Sequence, residues 1–186
     1  PDLVSPRLLR EGAHQLARPL SSFYNTLLNR SSFPSAWKQA NVTPIFKKGD
    51  PSQPSNYRPV SLLSCIGKLM ERCVHKYLYN FLTSNNILTP HQSGFVKGDS
   101  TVNQLTYLYN DICKAIDEGK EVRAVFCDIS KAFDRVWHKG LLYKLSAVGI
   151  RGSLLSWFSS YLSSRQQRVV LANSSSKSSP INAGVH

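Results

Sequence analysis

Apolar residues recur along most of the chain at the spacing of amphipathic helices. The clearest stripe lies in residues 65–82, where apolar side chains follow one another at intervals of three and four, so that one face of a helix is apolar. Similar patterns of apolar and polar positions predict further helices over residues 6–30, 101–118, 139–148 and 153–163.

Residues suited to helix ends flank two of these patterns. Ser5 precedes Pro6, a combination typical of an N-cap followed by the first helical residue. Ser100 and Gly119 bracket the helix predicted over 101–118. Pro19 interrupts the first stripe, which predicts a kink there or two short helices.

Three other stretches have the composition of strands. Residues 40–60 predict a strand, a loop rich in Gly, Pro and Ser at 49–56, and a second extended segment. Residues 121–128, "EVRAVFCD", are apolar at nearly every position after Arg123, as in a strand covered on both faces. Residues 166–185 predict a hairpin across a Ser-rich turn. This mixture predicts an α+β fold.

A carboxylate ends the apolar run at Asp128, and Asp134 follows six residues later. A buried charge is costly unless a cation meets it. A strand-end carboxylate beside a turn rich in backbone amides suits Mg²⁺ and a phosphate, since Mg²⁺ takes one or two protein carboxylates and completes its shell with water and phosphate. An Asp that caps the next helix is the alternative explanation.

The composition favours a folded protein that binds a polyanion. The 186 residues are 41% hydrophobic and carry a net charge of +12, which indicates a nucleic-acid partner, with a solvated basic surface as the alternative. The four cysteines lack zinc spacing. No apolar run approaches the ~20 residues of a membrane span, and there is no secretory signal. We expect an intracellular protein, nuclear or cytoplasmic, without structural metal or a membrane partner. The missing Met at position 1 suggests a fragment.

Five segments resemble the reverse transcriptases of non-LTR (LINE-type) retrotransposons, with the jockey-like elements nearest in wording. They occur in the family's order and run over nearly the whole chain: "FPSAWKQANVTPIFKKGDPSQPSNYRPVSLLS" (33–64), "QSGFVKGDSTVNQL" (92–105), "FCDISKAFD" (126–134), "SYLSSRQQRV" (160–169) and "NAGV" (182–185). The resemblance implies a right-hand polymerase: fingers and a partial palm over 31–186, the palm ferredoxin-like with an antiparallel sheet backed by helices. Residues 1–30 would form an N-terminal helical extension.

The resemblance also implies residue roles around the first carboxylate. Asp128 would be the first catalytic carboxylate, binding both Mg²⁺ ions (Mn²⁺ could substitute), and the carbonyl of Ile129 would complete one shell. Phe133 would be the steric gate that excludes a 2′-hydroxyl, and the amides of Lys131 and Ala132 would face the triphosphate. Asp134 fits a structural role in the first turn of the following helix better than metal binding.

Further positions are implied to contact the dNTP, the RNA template and the DNA primer. Lys47 or Lys48, together with Arg58, match residues that grip the triphosphate. The resemblance places another group near template and primer: Gln92, Gly94, Phe95 and Lys97. The contacts of Arg165 and Arg168 are not assigned by it, and a solvated strand edge is an equal alternative.

The chain departs from the family after "NAGVH". No Asp or Glu follows Asp134, so the family's later Asp-Asp pair is absent. We therefore expect this chain alone to lack polymerase activity, and we expect exposed apolar strands to make it marginally stable and prone to aggregate. Alternatives are a non-catalytic RNA/DNA-binding module, a relative of group II intron maturases or telomerase, and a basic protein–protein adaptor. The pattern does not predict an oligomeric state.

Overall fold

The computed structural model describes residues 2, 4–172 and 174–185, which form six α-helices and five strands. The helices are α1 Pro6–Glu11, α2 Ala13–Asn29, α3 Cys65–Ser84, α4 Thr101–Asp117, α5 His138–Ala147 and α6 Gly152–Leu162. The strands are β1 Gln39–Phe46, β2 Tyr57–Leu62, β3 Arg165–Leu171, β4 Ser174–Ser175 and β5 Ser179–Ile181. The chain divides into two compact units: residues up to His75 together with those from Lys131 onward, and Lys76–Ser130.

The N-terminal helix is divided, but at Gly12 rather than at Pro19. Ser5 caps α1 as predicted, because its hydroxyl oxygen accepts the amide of Leu8 at 3.1 Å. The amide of Gly12 donates to Leu8 and its carbonyl accepts from Leu16, so Gly12 both ends α1 and begins α2. Pro19 lies inside α2, where its missing N–H removes a single intrahelical hydrogen bond. The predicted break is therefore correct in kind and wrong in position.

The hydrophobic core of the first unit lies where α2, α3 and α6 pack together. Its fully buried centre includes Met70 and Trp157, and the ring of Phe33 meets the Trp157 indole edge to face at 5.6 Å. Tyr24 is buried beside them and donates its hydroxyl to the carbonyl of Ile66 at 2.9 Å. The amphipathic stripe of residues 65–82 therefore becomes the core face of α3.

One mixed sheet runs in the order β2-β1-β3-β4, and β5 also pairs with β3. β1 is antiparallel to β2 but parallel to β3, with Asn41 opposite Arg168. The sheet of the described residues is thus mixed, and the antiparallel palm sheet stays a prediction. Helices α3 to α6 lie between the two strands in sequence, and such a long connection allows the chain to return in the same direction. The hairpin predicted over 166–185 is present as β3 with β4 and β5.

The strand predicted over residues 121–128 is not formed. The whole stretch is irregular and exposed, and the side chains of Val125 and Phe126 are each 86% accessible. A strand needs a hydrogen-bonded neighbour, and every described strand pairs elsewhere within the sheet. The apolar run shows which side chains favour a strand, but it cannot show whether a neighbouring strand is available to pair with it.

The second unit contains α4, the end of α3 and irregular segments. α4 begins and ends as predicted: Ser100 accepts the amide of Asn103 at 3.1 Å, and Gly119 follows the helix with a φ of +70°. No residue from 76 to 130 is buried. Within the described residues, no helix is both long and apolar enough to cross a membrane.

Candidate active site

Asp128 presents its carboxylate on the surface of the second unit. The side chain is exposed and forms no hydrogen bond or ion pair with any described residue. It does not cap the short 3-10 helix Phe133–Arg135, which has no side-chain cap. The capping explanation is therefore wrong, and the oxygens remain available to an external cation. Ile129 beside it is 69% exposed.

A strained turn follows Asp128 in the sequence and belongs to the first unit. Lys131 has a left-handed φ of +53°, and Ala132 is right-handed with φ −51° and ψ −47°. Their carbonyls accept the amides of Asp134 and Arg135 at 3.0 and 3.3 Å. Their own amides donate to no described residue. Adjacent residues of opposite hand aim successive amides at one point, an arrangement that binds anions.

The C-terminal segment lies across this turn. The amide of Gly184 donates to Val136 at 2.9 Å, and the amide of Val185 donates to the carbonyl of Phe133 at 3.0 Å. His138 hydrogen-bonds the carbonyl of Gly184 at 2.7 Å. The turn that carries Lys131, Ala132 and Phe133 is therefore held from outside as well as by its own hydrogen bonds.

A groove of about 420 Å³ adjoins the turn within the first unit. Its lining includes Asp134 and Ala183, and its cations are Arg168 and Lys177. The side chain of Arg168 is held by the side-chain oxygen of Asn41, which accepts its Nε at 2.9 Å. A mixed lining of cations, amide groups and apolar side chains suits a ligand that is part anion and part apolar ring.

The β1–β2 hairpin ends in an ordered basic loop. The amide of Lys47 donates to Asn56 at 2.9 Å, and the side-chain amide of Asn56 donates to the carbonyl of Asp50 at 3.0 Å. Hydrogen bonds from Ser52, backbone first, lower the pKa of Asp50. The side chains of Lys47, Lys48 and Arg58 are all exposed, and none of them forms a hydrogen bond or ion pair with a described residue. The structure thus fixes the loop backbone and leaves its cationic side chains exposed.

The residues predicted near template and primer form a loop in the second unit. Gln92 donates its side-chain amide to the carbonyl of Gly94 at 2.7 Å, and the amide of Lys97 donates to the hydroxyl of Tyr79 at 3.3 Å. Phe95 is 88% exposed and has a left-handed φ of +64°. These contacts order the loop and turn the Phe95 ring toward solvent, where a base could stack.

The predicted site residues are divided between the two units. Lys47, Lys48, Arg58 and residues 131–134 lie in the first unit, and Asp128, Ile129 and residues 92–97 lie in the second. The structure brings Phe133 and Asp134 together with residues 183–185. No three His, Cys, Asp or Glu side chains of the described residues cluster in a way that could hold a metal ion. Asp128 is therefore not part of a complete metal site formed by the described residues alone.

Arg165 is not at a solvated strand edge, as one alternative had it, because it is only 2% exposed. Its guanidinium stacks on the ring of Tyr161 at 4.8 Å and donates to the carbonyl of that residue at 3.1 Å. Burial raises the pKa of the nearby Glu71, although Arg165 acts in the opposite direction. Burial also lowers the pKa of Lys38, and the nearby charge of Arg165 lowers it further. This cluster joins α3, α6 and β3.

Sequence reasoning missed two contacts of this region. Nothing in the pattern indicated that His138 bonds Gly184, since the two lie 46 residues apart in sequence. The pairing of Asn41 with Arg168 depends on the parallel register of β1 and β3, which was not predicted. The "NAGV" segment was recognised, and its glycine was the available signal for a close contact.

The comparisons with known proteins show the family of the chain. Residues 45–186 match the family described as reverse transcriptase (RNA-dependent DNA polymerase), and the chain belongs to that family. It is 40% identical over 167 residues, 89% of its length, to a probable RNA-directed DNA polymerase from transposon BS of Drosophila melanogaster. It is 35% identical over 185 residues, 99% of its length, to the RNA-directed DNA polymerase from mobile element jockey of the same organism. The expected likeness to jockey-like elements is confirmed.

A more distant relative is the Pol polyprotein of a type-1 retrotransposable element R2 from Popillia japonica, 31% identical over 129 residues, or 69% of this chain. The chain spans only 18% of the BS, 20% of the jockey and 18% of the R2 protein. What those whole proteins do comes to this chain only as a proposal.

Proposed function

We propose that this chain is the part of a non-LTR retrotransposon's RNA-directed DNA polymerase that receives the incoming nucleotide. The observation that carries the proposal is the exposed Asp128 carboxylate, followed three residues later by the alternating-handed turn of Lys131 and Ala132 with its unused amides. An exposed carboxylate suits the Mg²⁺ that accompanies a nucleotide, and an anion-binding turn suits phosphate oxygens.

Each predicted residue takes a role within this proposal. Asp128, with the carbonyl of Ile129, would hold Mg²⁺ or Mn²⁺. When bound, the cation supplies charge neutralisation at the phosphates and activation of the primer hydroxyl. The amides of Lys131 and Ala132 hold phosphate oxygens, and the ring of Phe133, 57% exposed, lies against the sugar.

The remaining residues orient the substrates. Lys47 or Lys48 and Arg58 bind the triphosphate through the ordered hairpin loop, as a point charge and a fork respectively. The loop that contains Gln92, Gly94, Phe95 and Lys97 lies along the RNA template and DNA primer, mainly through its backbone and the exposed Phe95 ring. We propose fingers and a partial palm as the parts of the polymerase to which residues 31–186 correspond, and residues 1–30 as a helical extension.

Binding without catalysis is the expected behaviour of the 186-residue chain. Because Asp128 is the one proposed catalytic carboxylate in this chain, the chain should bind dTTP in the presence of Mg²⁺ and should not extend a primed homopolymer RNA. Asp128→Asn should weaken the Mg²⁺-dependent part of dTTP binding at least about tenfold, because a cation ligand is lost. Isothermal titration with and without Mg²⁺ measures this.

The matched control is Asp117→Asn, which removes an exposed carboxylate from α4 and should leave dTTP binding unchanged. Equal effects of the two substitutions would reject the role of Asp128. Robust primer extension that Asp128→Ala abolishes would reject the expectation that the chain is inactive.

A non-catalytic RNA-binding module is the second candidate, favoured by the net charge of +12 and the unpaired cations of the hairpin loop. RNA affinity should fall with salt, and the slope of log affinity against log salt should shrink by about 0.7 for each phosphate that a variant no longer neutralises. We expect this change for Lys47→Ala or Lys48→Ala, and for Arg58→Ala. Arg7→Ala is the control, because Arg7 is already paired with Glu11 at 2.7 Å.

Filter binding across a salt series gives these slopes. A slope that does not change in any hairpin variant would place the RNA elsewhere on the chain. Asp128→Asn separates the two candidates, because a module that only holds RNA does not need that carboxylate.

A further inference from the structure

We propose that His138 is a positioning residue that sets the discrimination between deoxy- and ribonucleotides. Its hydrogen bond to Gly184 holds residues 183–185, here called the brace, against the turn at 133–136. The brace in turn fixes the backbone of Phe133. The inference deepens the proposed function, because it rests on Phe133 contacting the sugar.

Among the described residues, three hydrogen bonds hold the brace, and two of them are to the turn. Gly184 donates to the carbonyl of Val136 at 2.9 Å, and Val185 donates to that of Phe133 at 3.0 Å. The third comes from the ring of His138 to the carbonyl of Gly184 at 2.7 Å. That carbonyl can only accept, so Nε2 of His138 carries the hydrogen. His138 is therefore the side chain that ties the brace to α5.

His138 is placed for this contact rather than for starting its helix. It is the first residue of α5 and half-buried, while the preceding Trp137 makes no side-chain cap. The backbone of α5 is satisfied independently, since Leu141 donates to the carbonyl of Trp137 at 2.9 Å. The His138 ring thus serves the brace, and its loss should leave the helix intact.

The backbone of the brace lies in close contact with the backbone of the turn. Gly184 is buried and has a φ of +91°, and a Cβ there would lie 3.0 Å from both the Cα and the carbonyl oxygen of Asp134. It would also lie 3.1 Å from the carbonyl oxygen of Phe133. Backbone meets backbone at this point, so a small movement of the brace is passed to the peptide that carries the Phe133 ring.

The brace is connected to sugar specificity because it hydrogen-bonds the carbonyl of Phe133. The bond from Val185 ends on Phe133 itself, the residue whose ring would exclude a 2′-hydroxyl. Within the turn, the carbonyls of Lys131 and Ala132 accept amides of the turn itself, whereas the carbonyl of Phe133 accepts the amide of Val185 from the brace. Discrimination by a ring requires that the ring be held in place before the sugar arrives.

The test compares His138→Leu with His138→Gln in the 186-residue chain. Gln can present an amide hydrogen close to the position of Nε2, whereas Leu cannot. Hydrogen exchange by NMR follows the amides of Gly184 and Val185, and titration gives the ratio of UTP to dTTP dissociation constants. His14→Leu, at an exposed position on α2, is the matched control.

We expect His138→Leu to speed exchange of both amides about tenfold, as loss of a locally stabilising hydrogen bond does, and to reduce the UTP-to-dTTP ratio. His138→Gln should restore both, and His14→Leu should change neither. Unchanged exchange in His138→Leu would overturn the brace. Faster exchange with an unchanged ratio would overturn its role in specificity. If the unsubstituted chain bound neither nucleotide, the proposed function and the specificity role would both fail, and the exchange result would still decide whether His138 holds the brace.

Discussion

At the scale of single residues, Gly184 and Lys131 both have left-handed backbone, but for different reasons. Gly184 can adopt a φ of +91° without a steric penalty, and its presence in "NAGV" is a signal that can be found in a sequence. Lys131 adopts +53° although its side chain disfavours that region. Nothing in the composition of the turn predicts this, because the conformation is imposed by the surrounding hydrogen bonds. Such strain is common at ligand-binding turns.

Gly184→Ala should cost more stability than a change of φ alone explains. The new methyl group meets backbone at 3.0 Å as well as an unfavourable φ, so we expect a loss of about 2–3 kcal/mol in the free energy of unfolding. Gly119→Ala is the control: its φ is +70° and nothing lies within 4 Å of its added Cβ, so about 1 kcal/mol is expected. Urea denaturation measures both, and equal losses would show that the close approach at Gly184 is not rigid.

A role could be predicted for a residue only where the residues that suggest it lie close together in the sequence. Asp128 stood out because a carboxylate ends an apolar run. It is exposed rather than buried, and its role as a ligand stays a prediction. His138 could not be found in this way, since its partner lies at the far end of the chain. Arg165 was ambiguous in sequence because a basic residue on a strand can face water or an aromatic ring.

At the scale of elements, the pattern predicts what the local chain determines and fails where a partner is needed. α3 and α4 were predicted with bounds within a few residues, since periodicity and capping residues are local. The strand over 121–128 was not formed, because a strand depends on a neighbour. The parallel pairing of β1 with β3 was also beyond reach, as no local signal fixes the direction of a distant strand.

The link between α6, α3 and β3 gives the stability a pH dependence at alkaline pH. Burial, together with the charge of Glu71, raises the pKa of Tyr161 to about 12. Its folded pKa lies above its unfolded value of about 10, so its contribution is complete below pH 10 and is lost as the pH rises toward 12. The loss is about 2–3 kcal/mol at most.

Tyr161→Phe should therefore flatten the decline in unfolding free energy between pH 10 and 12, while lowering stability near neutral pH by about 1 kcal/mol because the hydrogen bond with Glu71 is removed. Burial also raises the pKa of Tyr24 to about 12. Part of the decline in unfolding free energy therefore remains in both proteins. Tyr143→Phe, on an exposed side chain of α5, should leave the profile as it is. Denaturation across this pH range provides the measurement, and identical profiles for wild type and Tyr161→Phe would contradict the assignment.

At the scale of the whole molecule, burial is confined to the first unit. Every buried residue lies outside 76–130, and the exposed apolar side chains of that stretch include Phe126 and Ile129. Segments with few buried contacts open at low free energy. The charge is spread more evenly, with cations in both units.

Limited trypsin digestion should therefore cut first at Lys97, Lys120 and Arg123, all of them exposed in the second unit. Arg165, at 2% exposure, should be cut last. Mass spectrometry of early fragments identifies the sites. Early cleavage at Arg165, or protection of Lys120 and Arg123 in the chain without ligand, would show that stability is distributed differently from burial.

The parallel pairing of Gln39 with Gln166 governs when the sheet can form during synthesis. β1 and β2 emerge from the ribosome early, but the neighbour of β1 is made only after four intervening helices. Until then, the β1 edge of the hairpin is unpaired and accessible to other chains. Folding is also slowed, because the pairing joins strands that lie far apart in the sequence. Production at low temperature with a chaperone that shields strands should for this reason raise the yield of soluble protein.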